Sequence, residues 1–292
     1  VGCDTLSQRE RAGERENANN DLTAQIEAEL NRIFLMNIFV CIRQVPDTTT
    51  RIKLREDGNG IDEADIQWII SPHDELAIEE ALQLRDRQPG STVTVLSAGP
   101  ERVTDSLRMA LAMGADSAVR LDLPGDADSA TNARALAAAI GKLGAADIVF
   151  VGKEAIDDGA GAVGTMLAVR LGFPSINVVN GIEYGEGSVT CRRDVGGGNI
   201  EIIETPLPAV ISAQVGLNEP RYATALNIIK AKKKPIDTIT ADELGITEAD
   251  RKTRLRNFEL PPPKQPCRLI EGSPAEQANE LIRVLAEDIQ AI

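Results

Sequence analysis

From Met36 onward the chain alternates apolar runs with segments of helical period. Residues 37–42 form a near-continuous apolar run, the pattern of a strand covered on both faces. Residues 71–87 read as a helix. Ser71 or Asp74 can cap it, Pro72 suits its first turn, and Leu76, Ile78, Ala81, Leu82 and Leu84 supply a buried face. The alternation continues with a strand at 92–97, a helix at 101–113, a strand at 118–121, an alanine-rich helix at 129–143 and a strand at 147–152. Strands separated by helices of this length predict right-handed crossovers and a parallel sheet, so the fold class is α/β. After Pro174 the runs shorten, with strands expected at 178–183, 188–193, 200–204 and 209–213 and a hairpin turn at DVGGGN. There is no internal repeat and no low-complexity tract.

The two ends read differently. Residues 1–29 are polar, with Arg9, Arg11 and Arg15 interleaved among Glu10, Glu14 and Glu16, and lack both the apolar centre of a signal peptide and the acid-poor profile of a transit peptide. Leu22, Ile26, Leu30 and Ile33 recur at helical spacing, but an isolated helix of that length is marginal in water. A disordered extension is therefore expected over 1–35, with Val1 reflecting an upstream non-AUG start or a long extension and Met36 a later natural start. An α/β domain is expected over 36–236, which the family resemblance given below makes a nucleotide-binding one with its partner-docking loop at 217–235. Residues 237–292 read as a C-terminal arm, because FELPPPKQP is extended and proline-rich. Residues 273–292 close the chain as an amphipathic helix carrying Ala275, Leu281, Val284, Leu285 and Ile289 on one side.

Composition narrows the function classes. The 292 residues are 42% hydrophobic and 26% charged, ordinary for a globular protein with a proper core. Aromatics amount to 3%, which argues against base stacking, and a net charge of -14 argues against a wide phosphate-neutralising face, so no nucleic-acid partner is expected. Cys3, Cys41, Cys191 and Cys267 form no C-x-x-C pair, which fits a reducing, cytoplasmic setting with neither a zinc site nor a redox dithiol. No apolar run approaches the roughly 20 residues of a membrane span.

Loops at the carboxyl ends of parallel strands are where such sheets take ligands. Ser97, Ala98, Gly99 and Pro100 would let a phosphate approach backbone N–H groups at a helix start, or they form a tight strand-to-helix turn. The run GKEAIDDGAGAVG over 152–164 leaves a buried strand and opens a helix through Gly159, Gly161 and Gly164, an arrangement suited to a phosphate cradle. It is neither a P-loop nor a G-x-G-x-x-G after the first strand. VGGGN sits between two alternating runs and reads as a hairpin. His73, the single histidine, lies near a helix start where a structural polar contact is expected. Asp157 and Asp158 would serve as metal ligands or, more ordinarily, as solvated or capping groups. No triad, H-E-x-x-H or G-x-S-x-G is present, so no acid-base catalytic machinery is expected. At 217–235, LNEPRYATALNIIKAKKKP packs Lys230, Lys232, Lys233 and Lys234 into five positions of an acidic chain, either a solvated basic turn or a patch that attracts acidic partners.

From Met36 to the C-terminus, the segments CIRQVPDT, SPHDELAIEEAL, SAGP, ALAMGAD, GKEAIDD, LPAV and LNEPRYAT occur in the order found in electron transfer flavoprotein beta subunits, which the chain resembles. The resemblance implies a three-layer parallel-sheet domain of the adenine nucleotide alpha hydrolase-like type, with a small antiparallel extension and an arm wrapping an alpha subunit. It implies a heterodimer whose alpha subunit holds the redox FAD while this chain holds a structural AMP. Electrons would come from acyl-CoA or related flavin dehydrogenases and leave to a quinone-linked oxidoreductase.

By position, the nucleotide contacts implied by the resemblance are Cys41, Ser71, Pro72, His73, Asp74, Ala98, Gly152, Lys153, Glu154, Ala155, Ile156, Asp157, Asp158, Gly159, Ala160, Gly161, Ala162 and Val163. The docking residues are Arg221, Tyr222, Ala223, Thr224, Ala225, Leu226, Asn227, Ile228, Ile229 and Lys230. Two segments depart from the family pattern. AMP-holding members carry Asn-Gln-Thr where this chain has Gly161, Ala162 and Val163; the Ala-Val-Gly ending is closer to electron-bifurcating members, which bind a second FAD in that cleft, although their Asp-Gly-Asp pattern is absent. In the docking loop the family's anchoring leucine falls on Ala225, with Leu226 one place later. A nucleotide-hydrolysing or nucleotide-sensing protein on the same scaffold is the alternative from a different class.

Overall fold

The computed structural model describes residues 35–264 and 266–288, so the N-terminal extension expected over 1–35 lies outside the described residues apart from Leu35, as does the end of the closing helix after residue 288. Contacts divide the chain into two units. One runs through Lys53 and from Asp62 to Arg256; the other comprises Leu54–Ile61 and the chain from Asn257.

In the first unit the elements are, in order, β1 (Asn37–Cys41), β2 (Gln44–Pro46), β3 (Trp68–Ile70), α1 (Pro72–Arg87), β4 (Thr92–Gly99), α2 (Val103–Met113), β5 (Ser117–Asp122), α3 (Ser129–Leu143), β6 (Ile148–Gly152) and α4 (Val163–Leu171). They are followed by β7 (Ser175–Tyr184), β8 (Ser188–Gly196), β9 (Asn199–Pro206), β10 (Ala209–Ala213), α5 (Ala225–Ala231) and β11 (Asp237–Thr240). A nine-stranded sheet runs β11-β5-β4-β1-β6-β10-β7-β8-β9. Pairing is parallel from β11 through to β7 and antiparallel across β7, β8 and β9. β2 and β3 form a separate antiparallel pair.

The alternation of side chains along a strand produces the three layers. In β1, Ile38 and Val40 join Ile148 and Phe150 of β6 on the side packed by Ile78 and Leu82 of α1 and Leu107 of α2. Phe39, Val149 and Val151 face the opposite layer with Leu136 and Ile140 of α3 and Leu167 of α4. Both faces of the central strands are therefore covered, the reason these strands read as unbroken apolar runs.

β7 changes partners midway. It pairs parallel with β10 from Ser175 to Val179, with a register shift between Ile176 and Val179, and antiparallel with β8 from Val179 onward. Val178 at the shift has φ 64, and its N–H donates to Ser212 Oγ at 2.9 Å. A β-branched residue in that region is strained, so the bend in β7 is held by its neighbours. The β8–β9 hairpin turns on Gly197 and Gly198, both at positive φ, as a two-residue turn requires.

The residues that open the C-terminal segment, 237–240, form β11 beside β5. Beyond them Asp128 does two jobs. Its Oδ1 caps α3 by accepting from the N–H and hydroxyl of Thr131 at 2.9 and 2.6 Å, and its Oδ2 accepts the N–H groups of Lys252 and Thr253, each at 2.7 Å. Burial works to raise this carboxyl, but the four bonds outweigh it and hold Asp128 well below the usual range. In the second unit, Leu54 and Ile61 form an antiparallel bridge. There α6 (Pro274–Arg283) opens with a capping box between Ser273 and Glu276, and a π turn, Val284–Asp288, follows it.

Candidate functional site

The parallel sheet reverses its winding between β1 and β6, and the crevice beyond their carboxyl ends is where ligands bind in such sheets. Asp74, in the first turn of α1, straddles that point. Its Oδ2 accepts the N–H of Arg43 at 2.7 Å and its Oδ1 accepts the N–H of Gly152 at 2.8 Å, so one carboxylate ties together the chain leaving β1 and the chain leaving β6. Burial pushes the Asp74 carboxyl up to about 7, against the pull of those two N–H groups and of the Arg43 charge. Burial, with Asp74 close by, also pushes the Cys41 thiol far above its ordinary value. Neither Ser71 nor Asp74 caps α1 as expected from sequence. Ser71 occupies the N-cap position with no side-chain cap bond, because its hydroxyl points to the Glu154 carbonyl at 3.4 Å and Asp74 is engaged across the crevice.

The loop after β6 continues the same contact. His73 Nδ1 lies 3.2 Å from the Glu154 carbonyl, the polar backbone contact expected of it. Gly152 must be bare: a Cβ there would lie 2.3 Å from Asp74 Oδ1 and 2.9 Å from both the Asp74 nitrogen and the His73 carbonyl carbon. Gly164 is equally constrained, since a Cβ would come within 2.7 Å of Val151 Cγ2, so its absence lets α4 sit down on β6. Between them the exposed stretch 156–161 carries Gly159 and Gly161 at φ near +60, backbone that L side chains rarely adopt. No side chain caps the start of α4, which leaves its first-turn N–H groups available to a ligand.

Arg43, not singled out from the sequence, spans the mouth of this loop and pairs with Asp157 and Asp158, each at 2.8 Å. Lys153 pairs with Glu154 at 3.2 Å. The structure thus brings together Cys41, Ser71, Pro72, His73, Asp74 and the loop 152–163, with Ala98 at the carboxyl end of β4, the strand beside β1. The only signal for Arg43 was a basic residue immediately after the first strand. Among the described residues no group of three or more His, Cys, Asp or Glu side chains is placed to hold a metal ion.

The second candidate surface is the segment 221–230. Thr224 caps α5 by accepting from the N–H of Asn227 at 3.2 Å, so the second half of the lysine-rich run is helical. Of this helix only Ala231 is buried; Leu226 is 60% and Ile229 57% exposed, and Tyr222 just before it is 96% exposed. Its far end is held from below, with Arg108 Nη1 donating to the carbonyls of Ala231 and Lys234 at 2.9 and 3.1 Å. Ala223 packs against the core, while Ala225, Asn227, Ile228 and Lys230 are exposed. The four lysines do not act alike. Lys234 Nζ donates to the Ala115 carbonyl at 2.8 Å, leaving Lys230, Lys232 and Lys233 as the outward basic flank. Arg221 also faces inward, onto Glu79 and Asp86 of α1.

The family described as electron transfer flavoprotein domain matches residues 59–244. The electron transfer flavoprotein subunit beta of Bacillus subtilis is 39% identical over 266 residues, covering 88% of this chain and all of that protein. Its namesake in Syntrophomonas wolfei is 40% identical over 246 residues, 84% of this chain and 94% of the relative, and that of Mus musculus is 31% identical over 255 residues, 86% and 97%. With a central parallel sheet, a switch-point crevice and a match of this length, the chain belongs to the electron transfer flavoprotein family, among its beta subunits.

Proposed function

We propose that this chain is the nucleotide-holding and partner-docking subunit of a heterodimeric electron carrier, working in the cytoplasm. It pairs with an alpha subunit that binds FAD, the group that supplies the electron-carrying chemistry. It receives electrons from acyl-CoA dehydrogenase-type enzymes, and they pass on to a quinone-linked oxidoreductase. The observation that carries this reading is α5, a helix with nearly all its side chains in solvent, where Leu226, Ile228 and Ile229, with Tyr222 just before them, set four large apolar groups beside a lysine flank. A helix of that kind gains little by folding against its own chain and suits an apolar pocket with an acidic rim.

The crevice fits a nucleoside monophosphate. Backbone N–H groups of 161–164, at the uncapped start of α4, would hold the phosphate, and the bare Gly152 and small Ala155, Ala160 and Ala162 would let it approach. Arg43 and Lys153 face three carboxylates there, Glu154, Asp157 and Asp158, besides buried Asp74. That balance disfavours a triphosphate with its larger negative charge, which weighs against the nucleotide-hydrolysing alternative. Gly161, Ala162 and Val163 offer no side-chain hydrogen bonds, which keeps a second FAD as the competing ligand.

Acid release of nucleotides from the purified heterodimer separates the two. One AMP and one FAD per heterodimer is the expected result; two FAD and no AMP would assign the chain to the bifurcating class, and ATP turnover by the chain would overturn the carrier reading. Docking has its own test. Leu226→Ala should raise the KM for a reduced acyl-CoA dehydrogenase about tenfold, the equivalent of about 1.4 kcal/mol from a buried apolar anchor. Unchanged kinetics would remove Leu226 from that role.

A further inference from the structure

The chain leading into α5 is fastened to the middle of α1 by carboxylates in an unusual setting. Glu79 and Glu80 are adjacent on α1 and each is only 4% exposed. Glu79 accepts the main-chain N–H of Arg221 at 3.1 Å, its Nε at 2.8 Å and its Nη2 at 3.1 Å, and Gln83 Nε2 donates to the same carboxylate at 3.0 Å. Two turns along α1, Asp86 takes Arg221 Nη1 at 3.1 Å. Glu80 accepts from Asn218 Nδ2 at 2.9 Å and from the Tyr184 hydroxyl at 2.8 Å. Buried carboxylates are costly unless every lone pair is used, and a hydrophobic pair would anchor a loop more cheaply. What a fork of charged hydrogen bonds adds is direction: a guanidinium bound at three nitrogens and its own main-chain N–H admits one orientation of the backbone.

We propose that Glu79 is a positioning residue for docking: through Arg221 it fixes the direction in which the chain leaves α1, and so the angle at which Tyr222, Leu226 and Ile229 meet a partner. Arg221 is then an internal anchor and not a contact with the dehydrogenase, although it sits inside the docking run. The inference rests on the docking reading given above. The surroundings support it. Burial works to raise Glu79, yet the bonds from Arg221 and Gln83 outweigh it and hold the carboxyl below its ordinary range, so the clamp is charged whenever the protein is folded near neutral pH. The Glu79 bond to Arg221 also lifts the guanidinium further above its ordinary value, against its own partial burial. At the other end of the same helix, the N-cap Ser71 and the first-turn His73 and Asp74 carry the hydrogen bonds to the stretch leaving β6, so Glu79 lies beyond the residues that hold that loop.

Three variants in the intact heterodimer test this: Glu79→Gln, Arg221→Lys and Leu226→Ala. Amide hydrogen exchange over 218–231 and steady-state reduction by an acyl-CoA dehydrogenase, kept reduced by its acyl-CoA substrate, are measured on each. Glu79→Gln should speed exchange in that segment at least tenfold, leave β1 and bound nucleotide as in the parent, and raise KM about tenfold with kcat unchanged. Arg221→Lys, which keeps the charge and loses the fork, should fall between; it carries the same test if Glu79→Gln yields no folded heterodimer. A raised KM for Leu226→Ala with parental exchange and KM for Glu79→Gln would overturn the clamp and keep the docking reading. Parental KM in all three would overturn the docking reading and the clamp with it. Loss of nucleotide together with a fall in kcat would mark Glu79 as generally structural and overturn its positioning role.

Discussion

Gly152→Ala is expected to lower the melting temperature of the heterodimer by about 6–12 °C and to strip it of the nucleotide proposed for the crevice. The one side chain that the added Cβ meets, Asp74, is held by two main-chain N–H donors, and the other close atoms are backbone. The Cβ would lie 2.3 Å from Asp74 Oδ1 and 2.9 Å from backbone atoms of His73 and Asp74, the first turn of α1. To relieve that contact either α1 must lift from the sheet, where Leu76, Ile78, Leu82 and Leu84 are buried, or β6 must shift beneath Val149 and Phe150, which are completely buried. Either movement breaks the 2.8 Å bond from Gly152 N–H to Asp74 and leaves a buried carboxylate oxygen without its donor. Overpacking plus a lost buried bond costs about 3 kcal/mol, and at 2–4 °C per kcal/mol that gives the stated range. Gly159→Ala is the control. Unlike Gly152 it sits at positive φ, but it has nothing within 4 Å of the added atom, so only backbone strain of about 1 kcal/mol is expected. A Gly152→Ala protein that melts within 2 °C of the parent and keeps its nucleotide would show that α1 yields at its first turn.

How much of this was legible in the sequence depends on the range of the interaction. Elements that carry their own period and ends were read closely: α3 begins at Ser129 and ends at Leu143 as expected, because Asp128 caps it and Gly144 follows it. β10 was bounded correctly between Pro208 and Gln214. β2, β3 and β11 were not seen, since strands of three or four residues exist only through the partners they find. α5 is weakly marked in the sequence: Thr224 followed three residues later by Asn227 is its one capping signal, and seven residues beside a basic run are too few to show a helical period. The glycines of 152–164 announced a loop open to backbone approach, whereas its tie to Asp74 and its pairing with Arg43 join residues 78 and 114 or more positions apart. Charge counting failed in the same way at Lys234 and Arg221, whose heads turn inward to partners in α1 and the α2–β5 turn that no local pattern names.

Asp74 should give the protein an inverted pH dependence over one window. Its folded-state value near 7 stands above an ordinary 3.8, chiefly because the carboxyl is buried, with Asp157 adding to the rise while Arg43 and two N–H donors oppose it. A folded value above the unfolded one means that between about pH 4 and 7 the folded chain holds more protons than the unfolded chain. Stability from this group is therefore complete below about pH 4 and is lost as the pH rises through about 7, reaching a penalty on the order of 4 kcal/mol above that. Ordinary carboxylates such as Asp128, held below their usual range, contribute with the opposite sign and lose their effect as the pH falls. The parent's melting curve mixes the two, so the difference between Asp74→Asn and parent is the informative quantity. Asparagine has one acceptor oxygen, so at pH 5 it leaves the N–H of Arg43 or of Gly152 unpaired and the variant should melt below the parent. Between pH 5 and 8 the parent alone must ionise a buried group, and the gap should close by several degrees or reverse. Parallel melting curves across that range would mean that the two backbone donors already keep Asp74 ionised, and that the carboxylate ties β1 to β6 at no cost in burial.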